Sequence, residues 1–215
     1  SEQDRVIENR GKLKILDSSK DKKGAIKIEQ TTNSANKREI YGIYNLVLGD
    51  LTINSGTIIC SNDWIGYGIY NASSGSVTVN GGTIDCYGDY NCRGIGNAST
   101  GTITMNGGTI TVDGGTVSSG TTRYTPGIYN FDKGTITVNG GTISATSSTS
   151  YSCGIYNESG GNAIVNGGIL YGKYYGIYNS GILVVNEGEI SGKYYGMDNS
   201  NSGNITVNGG TISSE

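Results

Sequence analysis

The 215-residue sequence predicts an all-β chain wound as a right-handed parallel β-helix of about eight coils, each built from three short strands. Three observations predict it. A Gly-Ile-Tyr-Asn segment or a close variant begins at Gly42, Gly68, Gly94, Gly127, Gly154, Gly176 and Gly196, at spacings of 26, 26, 33, 27, 22 and 20 residues. Each copy is followed by a Thr-Val-Asn-Gly-Gly-Thr-Ile block or a variant of it, such as residues 78–84. Two asparagine series run through every copy, one from Asn45 to Asn199 and one from Asn54 to Asn208, with a glycine two residues after the second. Self-similarity at such periods marks a solenoid, in which each repeat buries its apolar side only against its neighbours.

The first strand of a coil carries one inward Ile: Ile43, Ile69, Ile95, Ile128, Ile155 and Ile177, replaced by Met197 in the last copy. In the second strand, apolar and polar residues alternate with the two-residue period of a half-buried strand. Leu51/Ile53, Val77/Val79, Ile103/Met105, Ile136/Val138 and Ile205/Val207 are expected inward, and Thr52, Thr78, Thr104, Thr137 and Thr206 outward. The third strand contributes Ile58, Ile84, Ile110, Ile143, Leu170, Ile190 and Ile212. Asn and Gly fit the corners, where positive φ is needed and stacked amides can bond from coil to coil.

The two asparagines of a copy lie nine residues apart, or seven in the copy that starts at Gly176, so most length variation falls at the corner between third and first strands. A weaker eighth copy lies upstream, with Ile7, Asn9, Leu13 and Ile15 matching Ile177, Asn179, Leu183 and Val185, and Gly24-Ala25-Ile26 as its third strand. The whole chain, 1–215, is therefore expected to be one domain, with residues 1–40 as a basic first coil and 41–215 as seven clear repeats. Helical solenoids are excluded by the glycine content and the missing 3.6-residue period. Parallel crossovers favour the right hand, and a repeat whose length varies this much does not suit the strict hexapeptide register of left-handed helices.

With 37 glycines and a third of its residues apolar, the composition would suggest disorder if it lacked a period. The net charge of −3 hides a gradient: residues 1–40 carry ten Lys/Arg against seven Asp/Glu, and the remainder five against eleven. That balance is too mild to indicate nucleic acid or an anionic membrane as partner. No apolar run reaches the ~20 residues that span a bilayer, so no direct membrane insertion is expected. The chain opens at Ser1 and closes at Glu215 directly after a repeat, so we expect a piece of a longer protein, with any export signal or anchor outside it.

The repeat resembles those of right-handed β-helix proteins of the pectate-lyase-like superfamily, particularly adhesin-like bacterial surface proteins, over about residues 6–213. The resemblance implies extracellular exposure and a glycan or cell-surface ligand. It leaves three functions open: a non-catalytic binding module, a polysaccharide lyase or glycoside hydrolase, and a passive stalk. Lyases of the superfamily mount an Asp/Glu cluster for Ca²⁺ on one outer face. Here the position after the third-strand Ile reads Ile59, Asp85, Thr111, Ser144, Tyr171, Ser191, Ser213, which cannot cage a cation needing six or more oxygens, so no metal or cofactor is expected and no catalytic residue carries over.

Absence of histidine removes Ser-His-Asp and Cys-His catalysis. Cys60 and Cys86 each follow the inward Ile by two residues and should stack about 5 Å apart, as a disulfide or as two buried thiols; Cys92 and Cys153 have no evident partner. The corners after Ile58 and Ile84 have equal length, which should place Asp63 beside Asp89 and Trp64 beside Tyr90. Carboxylates about 5 Å apart suit retaining glycoside hydrolysis or belong to solvated loops. The longest connection, 111–126, should overhang this floor, with Arg93, Arg123 and Tyr124 as the wall of a shallow saccharide groove. The alternative site is an outward row of Tyr44, Tyr70, Tyr129, Tyr156 and Tyr178, broken at Gly96 and Asp198, with Tyr41, Tyr67, Tyr175 and Tyr195 just upstream. Such a row stacks sugars, lines an interface, or packs upon itself as favoured strand residues do.

Overall fold

The computed structural model describes residues 4–21, 23–30, 39–62, 64–88, 90–114, 124–148 and 151–215. It is a right-handed parallel β-helix whose strands form three sheets of eight. Sheet A collects the first strands of the coils, Asp4–Asn9, Glu39–Asn45, Ile65–Asn71, Asn91–Asn97, Ile128–Asn130, Cys153–Asn157, Tyr175–Asn179 and Tyr195–Asn199. Sheets B and C collect the second and third strands, and the coils are numbered 1 to 8 along the chain. The expected register holds throughout: Ile43 pairs with Ile69 and Ile69 with Ile95, Val77 with Ile103, and Ile84 with Ile110.

Coil 1 joins the stack as the sequence suggests, with Ile7 on Ile43, Asn9 on Asn45, Leu13 on Leu51 and Ile26 on Ile58. The inward residues of all three sheets form one continuous aliphatic core along the rod axis. In the last coil Val207 and Ile212 are exposed.

The two asparagine series differ in kind. At the corner between sheets A and B, Asn45, Asn71, Asn97, Asn130, Asn157 and Asn179 are fully buried. Each donates its amide to the Oδ1 of the next coil's asparagine at 2.8 or 2.9 Å, and also to a glycine carbonyl of its own coil, as Asn97 does to Gly101. At the corner between sheets B and C the ladder is exposed and runs the other way, from Asn208 down to Asn54. There the following glycines, among them Gly82 at φ 88° and Gly108 at φ 86°, supply the left-handed conformation that closes the corner.

Candidate functional site

Among the described residues sheet A carries most of the outward aromatic rings, against Tyr87 and Tyr171 on sheet C, and a slip in its strands causes this. Ile40 and Ile43 both enter the core, while Tyr41 and Tyr44 both lie outside, so the alternation slips by one residue at Gly42. A side chain there has no space: a Cβ on the equivalent Gly94 would lie 2.2 Å from Ile110 Cγ2 and 2.6 Å from the Gly127 carbonyl. Each coil therefore offers two outward columns on this sheet instead of one.

The rings in these columns pack on each other. Tyr41 stacks on Tyr67 at 5.3 Å and meets Tyr44 edge-on at 4.9 Å, while Tyr44 and Tyr70 lie 5.4 Å apart. Further along, Tyr129, Phe131, Tyr156 and Tyr178 form a second cluster around Cys153, with Tyr129–Tyr156 at 4.8 Å and Tyr156–Tyr178 stacked at 4.7 Å. Tyr129, Tyr156 and Tyr178 are less than a tenth exposed, so much of the expected row is a second apolar core laid over the sheet. Burial pushes the hydroxyls of Tyr41, Tyr67, Tyr129 and Tyr156 well above the usual tyrosine range, and that of Tyr175 up to about 12. The hydroxyls of Tyr41 and Tyr129 also donate to Glu39 and Glu158.

The expected groove at the coil edge is only partly assembled. Trp64 and Tyr90 stack as predicted, with centroids 4.1 Å apart and planes within 19°. Asp63, Asp89 and Arg123 lie outside the described residues. Arg93 is not at the wall. It sits in the column of Tyr41 and Tyr67, 7% exposed, donating from Nη1 to the Tyr67 hydroxyl, with its guanidinium 4.9 Å from the Tyr67 ring and 4.8 Å from the Tyr129 ring. Coil 4 carries Gly96 where its neighbours carry tyrosine, and the rings of Tyr67 and Tyr70 lean into that space. Strand phase, which the spacing argument did not include, turns Arg93 onto the sheet. Tyr124 also departs from the groove: its backbone N–H donates to Asn91, but its ring stacks on Tyr151 at 4.7 Å and meets Tyr156 edge-on.

Cys60 and Cys86 are in register, and all four cysteines are free buried thiols. Cys92 has a neighbour after all, because it points inward from sheet A and its thiol meets that of Cys86 across the corner. Contact with Cys86 and burial hold the Cys60 and Cys92 thiols protonated, and burial does the same for Cys153. Among the described residues no group of three or more His, Cys, Asp or Glu is placed to hold a metal ion, and no helix is long and apolar enough to cross a membrane.

Exposed aromatic surface is concentrated at Tyr194 and Tyr195; the repeat pattern places Tyr175 and Tyr195 in the upstream column but passes over Tyr174 and Tyr194. Tyr174 and Tyr194 turn the corner from sheet C into sheet A, and their rings lie 4.8 Å apart; beside them Tyr175 and Tyr195 stack at 5.4 Å with planes within 15°. Tyr194 is 51% and Tyr195 54% exposed, and the Lys193 ammonium lies 5.6 Å from the Tyr194 ring. The signal was in the sequence: Gly-Lys-Tyr-Tyr-Gly occurs at 172–176 and again at 192–196, where the stretch from the third-strand apolar residue to the next first-strand glycine is shortest, Leu170 to Gly176 and Ile190 to Gly196. Tyr174 and Tyr175, in the identical corner of coil 7, are half-buried, so the greater exposure of Tyr194 and Tyr195 goes with their place in coil 8.

Against known protein families, curated proteins and solved structures, the chain shows no match.

Proposed function

We propose that this chain is a non-catalytic binding module of a surface-exposed, adhesin-like extracellular protein, and that it binds glycans on the outer face of sheet A. The observation that carries this reading is the platform of Tyr174, Tyr175, Tyr194 and Tyr195. Four rings in two stacked columns, two of them more than half exposed, form a rigid amphipathic surface. Packed on one another, the rings turn their edges and hydroxyls outward, an amphipathic surface that suits the C–H groups of sugars with hydroxyls left to bond with polar neighbours, and large exposed apolar patches on soluble proteins mark binding sites. The rings within a column are one coil apart, so an oligosaccharide lying along the rod axis meets a ring on each of coils 7 and 8.

The carboxylates on this face favour binding over hydrolysis. Glu39 and Glu158 each accept a buried tyrosine hydroxyl and so serve the packing. The test is a glycan array run beside a reducing-sugar release assay on the same preparation. Binding without release, lost in a Tyr194→Ala/Tyr195→Ala variant that keeps its β-rich circular dichroism, is the expected result. Release with turnover makes the chain an enzyme, and absence of any glycan binding refutes the reading.

A further inference from the structure

Where the chain passes from sheet A to sheet B, coil 7 is two residues shorter than its neighbours. In coils 6 and 8 five residue steps separate the corner asparagine from the start of the next strand, Asn157 to Asn162 and Asn199 to Asn204; in coil 7 there are three, Asn179 to Ile182. The corners of coils 6 and 8 therefore stand proud of the one between them. They enclose a pocket of about 240 Å³ lined by Tyr156, Glu158, Ser159, Ser180 and Asn201. Ser180, 6% exposed, is its floor; Glu158 and Ser159 form one wall and Asn201 the other. The walls are two coil spacings apart, about 10 Å between backbones, which admits one ring on edge between side chains.

We propose that this slot is a subsite for a single neutral pyranose, a hexose or an N-acetylhexosamine, on a longer glycan that also contacts the tyrosine platform. This deepens the proposed function and rests on it. The polar groups are already oriented. One oxygen of Glu158 accepts the Tyr129 hydroxyl, which fixes the carboxylate and leaves its second oxygen to accept from sugar hydroxyls. Asn201 donates its amide nitrogen to Ser180 Oγ at 3.3 Å, leaving the Asn201 amide oxygen as an acceptor and the Ser180 hydroxyl proton as a donor. Asn201 itself sits at φ 54°, a left-handed conformation that asparagine tolerates better than most residues and that fixes the wall in place. Tyr156, stacked on Tyr178, supplies the one aromatic side.

Charge selects the class of sugar. Asp198 occupies, in coil 8, the column position that Tyr156 and Tyr178 hold in coils 6 and 7, and it pairs in register with Tyr178. With Glu158 it puts two carboxylates on this side of the face against one neighbouring cation, Lys133, whose Cγ comes within 3.7 Å of a Cβ placed on Gly160, and the excess disfavours the carboxylate of an acidic sugar. Orientation of hydroxyls by fixed polar groups, in a slot open to water, predicts weak but selective binding.

The experiment measures affinity by isothermal titration for neutral oligosaccharides (cellotetraose and tetra-N-acetylchitotetraose) and for tetragalacturonate as the acidic probe, after a glycan array has shown that the wild type binds sugar. Glu158→Gln should weaken the better neutral ligand at least tenfold, and Asn201→Ala several-fold. A third variant inserts two serines after Ser180, restoring the five-step corner that coils 2 to 6 already tolerate; it should fold normally and lose the neutral ligand. If the insertion and Glu158→Gln bind within twofold of wild type while Tyr194→Ala/Tyr195→Ala does not, the slot is not a subsite and the platform alone binds. A preference for tetragalacturonate overturns the charge argument and the subsite with it. Failure of the wild type to bind any glycan refutes the proposed function, and this inference falls with it.

Discussion

Replacing Asn97 by alanine isolates the contribution of one rung of the buried ladder. Its side chain is fully buried; Nδ2 donates to the Gly101 carbonyl at 2.8 Å and to Asn130 Oδ1 at 2.9 Å, and Oδ1 accepts from Asn71 Nδ2 at 2.8 Å. Alanine leaves the Gly101 carbonyl and Asn130 Oδ1 without this donor and one Asn71 proton without its acceptor. Water has no direct path to any of them. A buried polar group left unpaired costs about 1–3 kcal/mol; the Gly101 carbonyl still accepts from the Thr135 N–H and the Asn71 amide retains its bond to Gly75, so only Asn130 Oδ1 and one Asn71 proton go unpaired and the sum is about 2–4 kcal/mol. Asn106 occupies an equally regular series and bonds to Asn80 and Asn139 at the same distance of 2.8 Å, but its ladder is exposed. Water replaces both partners there, and Asn106→Ala should cost under about 1 kcal/mol. Urea denaturation followed by circular dichroism reads both, with the slope of each transition checked for loss of cooperativity. Equal shifts for the two variants, or a larger one for Asn106→Ala, would refute the claim that burial decides what an asparagine ladder is worth.

Three further outcomes follow from the same packing. Ile95→Ala in coil 4 should cost about 2–5 kcal/mol through lost burial and a cavity, against under about 1 for the outward Thr104→Ala, and similar values in denaturant titrations would show the inward phase to be wrong. The hydroxyls of Tyr41, Tyr67, Tyr129 and Tyr156 are raised by burial above their unfolded value, so their neutral form stabilises the fold below about pH 10 and that contribution is lost as pH rises above it. The part of the phenolate absorbance that belongs to these four should therefore rise only together with loss of β signal, and ionisation of these tyrosines in a chain that stays folded would contradict their burial. A thiol reagent such as Ellman's should find no reactive cysteine in the native protein and four in denaturant; two in denaturant would mean that Cys86 is oxidised with Cys60 or with Cys92.

The sequence by itself determined the architecture. A repeat that places Ile, Asn and Gly at fixed positions in every coil admits one register, because a shift by a single residue would expose the entire aliphatic core. Even the degenerate first coil was legible, since Ile7, Asn9, Leu13 and Ile15 keep the pattern although little else does. The stacking of Trp64 on Tyr90 was legible for the same reason, equal chain length between fixed points.

Direction was not legible, because the direction of a side chain outside the strict alternation depends on contacts between coils and sheets that are remote in sequence. The slip at Gly42 and its equivalents, imposed by isoleucines of sheet C, turns Arg93 out onto the tyrosine face and brings Cys92 inward to Cys86. Burial was not legible either. Two asparagine series of equal regularity became one buried and one exposed ladder, and an outward tyrosine row became largely a second core, because rings on adjacent coils shield each other from water. The slot over Ser180 arises where one connection is shorter than those on either side, so its surface is defined by the neighbouring coils rather than by its own residues. Only the stacked structure supplies those neighbours.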